Sequence, residues 1–210
     1  MSHFNKAAAD WDSPEKVEMM KILATRTMEA LQPFLSGGLK RDIIDFGCGT
    51  GLFGLAFSDY ARTLTGIDTA EGMLEVFEQK TSGQSHIRGI LANLEQMDAA
   101  PIRDMNLKAD LVLSCMAFHH LNDPETMVKK LKSFLSERGV IALVDLDLED
   151  GTFHPDNDGM GVKHFGFGKE TTAGWAEAAG LSSERKIIHE VKKNDRAYPI
   201  FLVVMKPTGA

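Results

Sequence analysis

A doubly wound α/β domain built on a mostly parallel sheet is the class this sequence predicts, and three observations predict it. Short apolar stretches alternate with helix-like ones from residue 42 to residue 146, the order in which crossover helices join parallel strands. Residues 139–146 read as a continuous apolar run, as suits a strand covered on both faces. Gly47, Gly49 and Gly51 stand directly after the first apolar strand, where glycine lets the backbone turn tightly and a ligand approach it.

In chain order, residues 13–35 predict an amphipathic helix. Asp12 or Ser13 can cap it, Pro14 suits its first turn, and Val17, Met20, Leu23, Ala24, Met28 and Leu31 recur at helical spacing. Ser36-Gly37-Gly38 ends it. Strand one is predicted over 42–46, with a helix near 52–59. Strand two covers 62–68 and leads to a helix near 71–80, and strand three lies near 86–91. Strand four is 109–115; Asp123-Pro124 opens a helix reaching about residue 135, and strand five is 139–146. Residues 147–168 hold five glycines, a proline and no sustained period, which reads as a functional loop or lid. A helix over 169–179 ends at Gly180, and 184–191 and 198–205 predict a terminal hairpin with Pro199 marking a peripheral strand. One domain over 1–210 is expected, with 1–36 as N-terminal helix and lid and 147–168 as the acceptor-side loop.

The chain's 210 residues suffice for one full core. A 43% hydrophobic and 25% charged composition is ordinary for a soluble protein. The net charge of −7 disfavours nucleic acid as a partner. No apolar run is long enough to span a membrane, and residues 1–12 lack a signal-peptide core. Cys48 and Cys115 read as reduced thiols, so a cytoplasmic setting without a disulfide is expected.

The glycines follow G-x-G-x-G spacing, with Asp45 two residues before the first. Dinucleotide-binding loops instead use G-x-G-x-x-G to seat a pyrophosphate, and Gly54 does not restore that register. An acid here suits a ligand carrying an ammonium group. Asp68 ends the second strand about 20 residues past the glycines, where such folds place the acid that binds ribose hydroxyls.

Asp45, Gly47, Gly49, Gly51 and Asp68 resemble the (D/E)-x-G-x-G-x-G motif and following acid of the class I S-adenosylmethionine-dependent methyltransferases. Phe118-His119-His120-Leu121 resembles the His-His-Leu segment of their small-molecule members. The resemblance runs from the first helix to the last strand. It implies a Rossmann-like three-layer sandwich with seven strands in the order 3-2-1-4-5-7-6, strand 7 antiparallel. It implies S-adenosyl-L-methionine as cofactor, S-adenosyl-L-homocysteine as product, and a small-molecule methyl acceptor as partner; the charge and hydropathy above add the expectation of neither nucleic acid nor membrane.

Roles follow from the same resemblance. Asp45 would order the loop or meet the cofactor's amino group. Gly47, Cys48, Gly49 and Gly51 would form the cofactor loop, Cys48 through its backbone. Asp68 would hold the ribose, with Thr69 and Met73 near ribose or adenine. Asn93 and Leu94 would meet the adenine; Asn93 replaces the acid common in relatives but keeps an acceptor. Ser114 and Met116 would border the methionine part, and His119 or His120 would face the acceptor as a general base. In residues 147–168, Asp147, Glu149, Asp150, His154 and His164 have no compact metal-ligand spacing, so no metal is expected. Phe153, Phe165 and Phe167 suit an acceptor-binding lid, to which Phe4 and Trp11 can add. Two other functions compete: a non-catalytic S-adenosylmethionine-binding protein and, against the glycine spacing, a nicotinamide-dependent oxidoreductase.

Overall fold

The computed structural model describes residues 3–193 and 195–208. Its strands are β1 (Arg41–Phe46), β2 (Ala61–Asp68), β3 (Ile87–Leu91), β4 (Ala109–Cys115), β5 (Leu135–Leu146), β6 (Leu181–Lys193) and β7 (Arg196–Pro207). They form one sheet in the order β3-β2-β1-β4-β5-β7-β6. The pairs from β3 to β5 are parallel, and β7 runs antiparallel to both β5 and β6, as the resemblance implies. The order reverses between β1 and β4, which opens a crevice at the carboxyl ends of those strands.

The helices are α1 (His3–Ala7), α2 (Pro14–Ala30), α3 (Gln32–Leu35), α4 (Glu71–Lys80), α5 (Ala99–Asp104), α6 (Pro124–Lys132) and α7 (Lys169–Ala178). Side chains alternate across each strand, so the sheet feeds two cores. Phe46, Val112 and Phe201 face α5, α6 and α7 through Ile102, Leu131 and Trp175. Ile43, Leu111 and Leu113 face α2 and α4 through Leu23 and Phe77. Helices thus cover both faces, giving three layers.

Local chemistry sets several boundaries. The Ser13 hydroxyl accepts from the Lys16 amide and Pro14 occupies the first turn of α2; Asp12 is used elsewhere. The predicted helix over 13–35 breaks at Leu31, because Pro33 brings no amide to continue the ladder. The helix predicted near 52–59 is a seven-residue 3-10 turn, Gly54–Tyr60. Strand five starts at Leu135 rather than Gly139: its pairing jumps from Ala109↔Leu135 to Leu111↔Val140. A Cβ at Gly139 would stand 2.7 Å from the Ala109 carbonyl oxygen. Two short helices, α1 and α5, lie outside the predicted pattern; Ile102 is the one buried residue of α5.

The most consequential correction concerns β5. Its run is not continuously apolar, because it carries Asp145 fully buried near its carboxyl end. Residues 147–168 have no helix or strand, but they are strapped down. The amides of Lys163 and His164 both donate to the His119 carbonyl, and the Phe167 amide donates to Leu146. Among the described residues no helix is long and apolar enough to cross a membrane.

Candidate cofactor and acceptor site

A cavity of about 360 Å³ opens at the carboxyl ends of β1, β2 and β4. Its floor is the chain from Asp45 to Thr50. Gly47 has φ +69, and a Cβ there would come within 2.6 Å of the Ala117 Cβ, so only glycine lets the turns after β1 and β4 approach this closely. The amides of Gly47 and Cys48 both donate to the Ile67 carbonyl. The Gly49 amide donates to Asp68 Oδ2 at 2.8 Å, and the Gly51 amide to the Cys48 carbonyl. These four N–H groups are satisfied within the fold. The floor therefore presents carboxylates to a ligand rather than the ring of free amides an anion nest requires.

Asp45 is fully buried, and its Oδ2 has no hydrogen-bond partner. A Cβ on Gly54 would stand 2.1 Å from that oxygen, so glycine makes room for the carboxyl. Burial, and then the neighbouring charge of Asp68, push the Asp45 pKa up to about 8, with the Gly54 amide opposing. Asp68 accepts from the Ala70 amide through Oδ1. Burial raises its pKa, and the amides of Ala70, Gly49 and Thr69 oppose that rise. The Cys48 and Cys115 thiols are pushed far above their usual value by burial and by nearby aspartates, so neither is a thiolate nucleophile. Both are free.

The N-terminal segment closes the cavity from above. Phe4 and Trp11 line it and stack edge to face with centroids 5.7 Å apart. Ala8 packs with Ala70 and Met73, and Asn5 Oδ1 accepts from the Gly72 amide. Asp12 accepts from Thr50 at 2.6 Å and pairs with Lys80 at 2.5 Å. The segment is thereby pinned to the glycine loop and to α4.

Of the residues singled out in the sequence, Asp45, Gly47, Cys48, Gly49, Asp68, Thr69, Met73, Asn93, Leu94, Met116 and His120 line this cavity. Gly51, Ser114 and His119 do not. Gly51 packs its bare Cα on Leu55 and Phe77. Ser114 is fully buried on β4 and, by alternation, faces away from the cavity; Cys115 lines it instead. His119 points behind the wall, its Nδ1 2.7 Å from Asp145 Oδ1. Asn93 departs from its expected use: Oδ1 accepts from the amides of Glu95 and Gln96, leaving the NH₂ group for a ligand. Met116 holds φ +54 where it meets the cavity, a conformation costly for a side-chain-bearing residue.

Sequence reasoning passed over Asp145. It accepts from the amides of Phe118, His119 and Leu146 as well as from His119 Nδ1, and so shapes the whole turn after β4. Burial opposes its charge, but His119 and the Leu146 amide outweigh that and hold its pKa below the usual carboxylate value. The available signal was an acid inside an otherwise apolar strand.

A family profile described as a methyltransferase domain matches residues 44–143. The chain is 24% identical over 206 residues to an uncharacterized methyltransferase of Schizosaccharomyces pombe, covering 79% of this chain and 72% of that protein. It is 32% identical over 143 residues to the malonyl-[acyl-carrier protein] O-methyltransferase of Acetivibrio thermocellus, covering 67% of this chain but only 46% of that protein. Among solved structures, the DhpI–SAH complex superposes with a TM-score of 0.71 at 17% identity, covering 99% of this chain and 95% of that one. That likeness shows the fold.

Proposed function

We infer that this chain, which matches a methyltransferase-domain profile over residues 44–143, is a class I S-adenosylmethionine-dependent methyltransferase that holds S-adenosylmethionine in this cavity and methylates a small-molecule acceptor. The observation that carries the reading is the buried Asp45 carboxyl in the cavity lining, whose Oδ2 has no hydrogen-bond partner among the described residues, beside Gly47, Cys48 and Gly49 amides that already donate within the fold. Such an oxygen lacks a donor, and the ligand's ammonium group supplies one. A diphosphate would bring more negative charge against Asp45 and Asp68, which argues against a nicotinamide cofactor.

When bound, the cofactor supplies a methyl group on a positively charged sulfur, already activated for displacement. The protein's residues then bind, orient and exclude water. Asp45 receives the ammonium. Asp68 keeps lone pairs for the ribose hydroxyls beside the amides it already accepts. The Asn93 NH₂ and the apolar Leu94 form the adenine end, with Thr69 and Met73 beside them. Met116 borders the methionine part. Phe4 and Trp11 cover the cavity against water.

His120 touches the cavity and marks its acceptor end. Burial, and then His119, lower its pKa to about 3, so it is a neutral hydrogen-bonding group at neutral pH and a weak base. His119 lies outside the cavity lining and packs against the His120 ring, centroids 4.1 Å apart. One relative is named as a malonyl-[acyl-carrier protein] O-methyltransferase, which favours oxygen as the atom methylated.

Isothermal titration with S-adenosylmethionine, S-adenosylhomocysteine and NAD tests the cofactor. The expected result is binding of the first two and none of the third. Asp68→Ala should lose tenfold or more in affinity, about 1.4 kcal/mol, with a smaller loss of unfolding free energy from the Gly49 and Ala70 amides it leaves unpaired. Binding of NAD alone would overturn the reading. S-adenosylhomocysteine release across a panel of small acceptors separates an enzyme from a non-catalytic binder.

A further inference from the structure

Three histidines meet where β4, the turn after it and the 147–168 loop come together. His119 and His120 are adjacent on the 3-10 turn Phe118–His120, and His154 arrives from the loop. One ring nitrogen from each lies within 4.8 Å of the others. The ring centroids stand 4.1, 4.9 and 5.9 Å apart. Imidazoles around one tetrahedral ion with nitrogens about 2.0–2.1 Å from it would place their ring centres roughly 5 Å apart, so the observed spacing brackets that arrangement.

Each ring is also prepared for it. His119 Nδ1 stands 2.7 Å from Asp145 Oδ1, so Nε2 is the nitrogen left to face a ligand; that atom is buried and has no partner among the described residues. The Gly161 carbonyl engages Nδ1 of His120 at 3.2 Å, which leaves its Nε2. His154 Nδ1 is likewise buried without a partner among the described residues. A buried carboxylate behind a histidine, fixing its tautomer, is the outer-shell support that metal-ligating histidines use. One group opposes a cation: Lys193, whose charge acts on His154 and whose ammonium donates to the Phe153 carbonyl. The ionised Asp145 offsets it.

We propose that His119, His120 and His154 form a site for a divalent transition metal of the zinc class, set in the wall of the cofactor cavity. Three protein imidazoles with an open fourth position match the ligand count of catalytic rather than structural zinc, and imidazole donors favour zinc over calcium or magnesium. His120 belongs to both the cluster and the cavity lining, so the open position lies at the acceptor end. The site stands on the histidines and not on the cofactor assignment.

Cobalt(II) titration of chelator-treated, tag-free protein tests it by absorption and by metal content. One equivalent should bind, with visible ligand-field bands of a four- or five-coordinate ion, and zinc should displace it. His154→Ala, on a partly exposed loop residue, should remove the bands and weaken binding at least tenfold. His154→Asp should restore part of it. His86→Ala, on an exposed residue away from the cluster, should bind as wild type does. Circular dichroism and S-adenosylmethionine titration on the same samples establish that the variants are folded. Absence of a stoichiometric site in the wild type, or wild-type binding by folded His154→Ala, would overturn the metal site. Cofactor binding without metal binding sinks the metal site alone, and metal binding without cofactor binding sinks the methyltransferase reading alone.

Discussion

Asp45 is the residue on which the electrostatics of the cavity turn. Its carboxyl rises from an ordinary 3.8 to about 8 in the fold, so between those values the folded protein holds a proton that the unfolded chain releases. That stabilisation is complete below about pH 4 and is lost as pH rises through about 8. A ligand ammonium reverses the preference, because it favours the ionised carboxylate. Cofactor affinity should therefore rise with pH between 6 and 7.5, by at most about tenfold per unit for one proton released, while ligand-free stability falls over the same range. Asp45→Asn should flatten both slopes. Calorimetry in buffers of different ionisation enthalpy counts the proton, and urea titrations follow stability; a pH-independent affinity would remove Asp45 from the ammonium site. At this scale the sequence was readable where a backbone motif fixed the position, as at Asp45, Gly47 and Asp68. It was not readable where strand parity decided. Ser114 and Cys115 are both plausible at a strand end, and only the facing of β4 shows that Cys115 lines the cavity.

Among the elements, the N-terminal segment converts an open crevice into a covered cavity, and its hold is polar. Asp12 joins Thr50 of the glycine loop to Lys80 of α4, and Lys80 also donates to the Thr50 carbonyl. Partly exposed pairs of this kind contribute about 0.5–1 kcal/mol. Asp12→Ala should therefore weaken cofactor binding by about two- to fivefold, raise hydrogen exchange over residues 4–11, and leave exchange in β1 and β4 unchanged. Equal loss of protection in the central strands would mean that the segment is part of the core rather than a cover. The helices and strands themselves were legible because apolar spacing is local. Boundaries failed where a single residue overrode the period: Pro33 split the first helix, and Asp145 sat in β5 because the turn after β4 needs its oxygens. The three-histidine cluster was illegible for a different reason. His154 lies 34 positions beyond His120 in the sequence, and the strapping of the 147–168 loop to His119, not any spacing, brings it there.

For the whole molecule, the cavity lies between the carboxyl edge of the sheet and the N-terminal cover, beside α4, which packs on the sheet through Phe77 and on the cover through Met73. A ligand touching floor and cover together adds its binding free energy to the global unfolding equilibrium. At a ligand concentration 100 times the dissociation constant the gain is about 2.7 kcal/mol, which for a domain of this size corresponds to a rise in Tm of about 5–11 °C. Differential scanning calorimetry should show that rise with S-adenosylmethionine and with S-adenosylhomocysteine, and no rise with NAD. Asp68→Ala should lose most of the shift and lower the ligand-free Tm by less than that, because the carboxylate holds the Gly49 and Ala70 amides as well as the ligand. A variant whose ligand-free Tm falls as far as its shift would place Asp68 among the residues that hold the loop. The amides of Gly49 and Ala70 would then be its principal partners, and the ribose would have to be held elsewhere in the cavity.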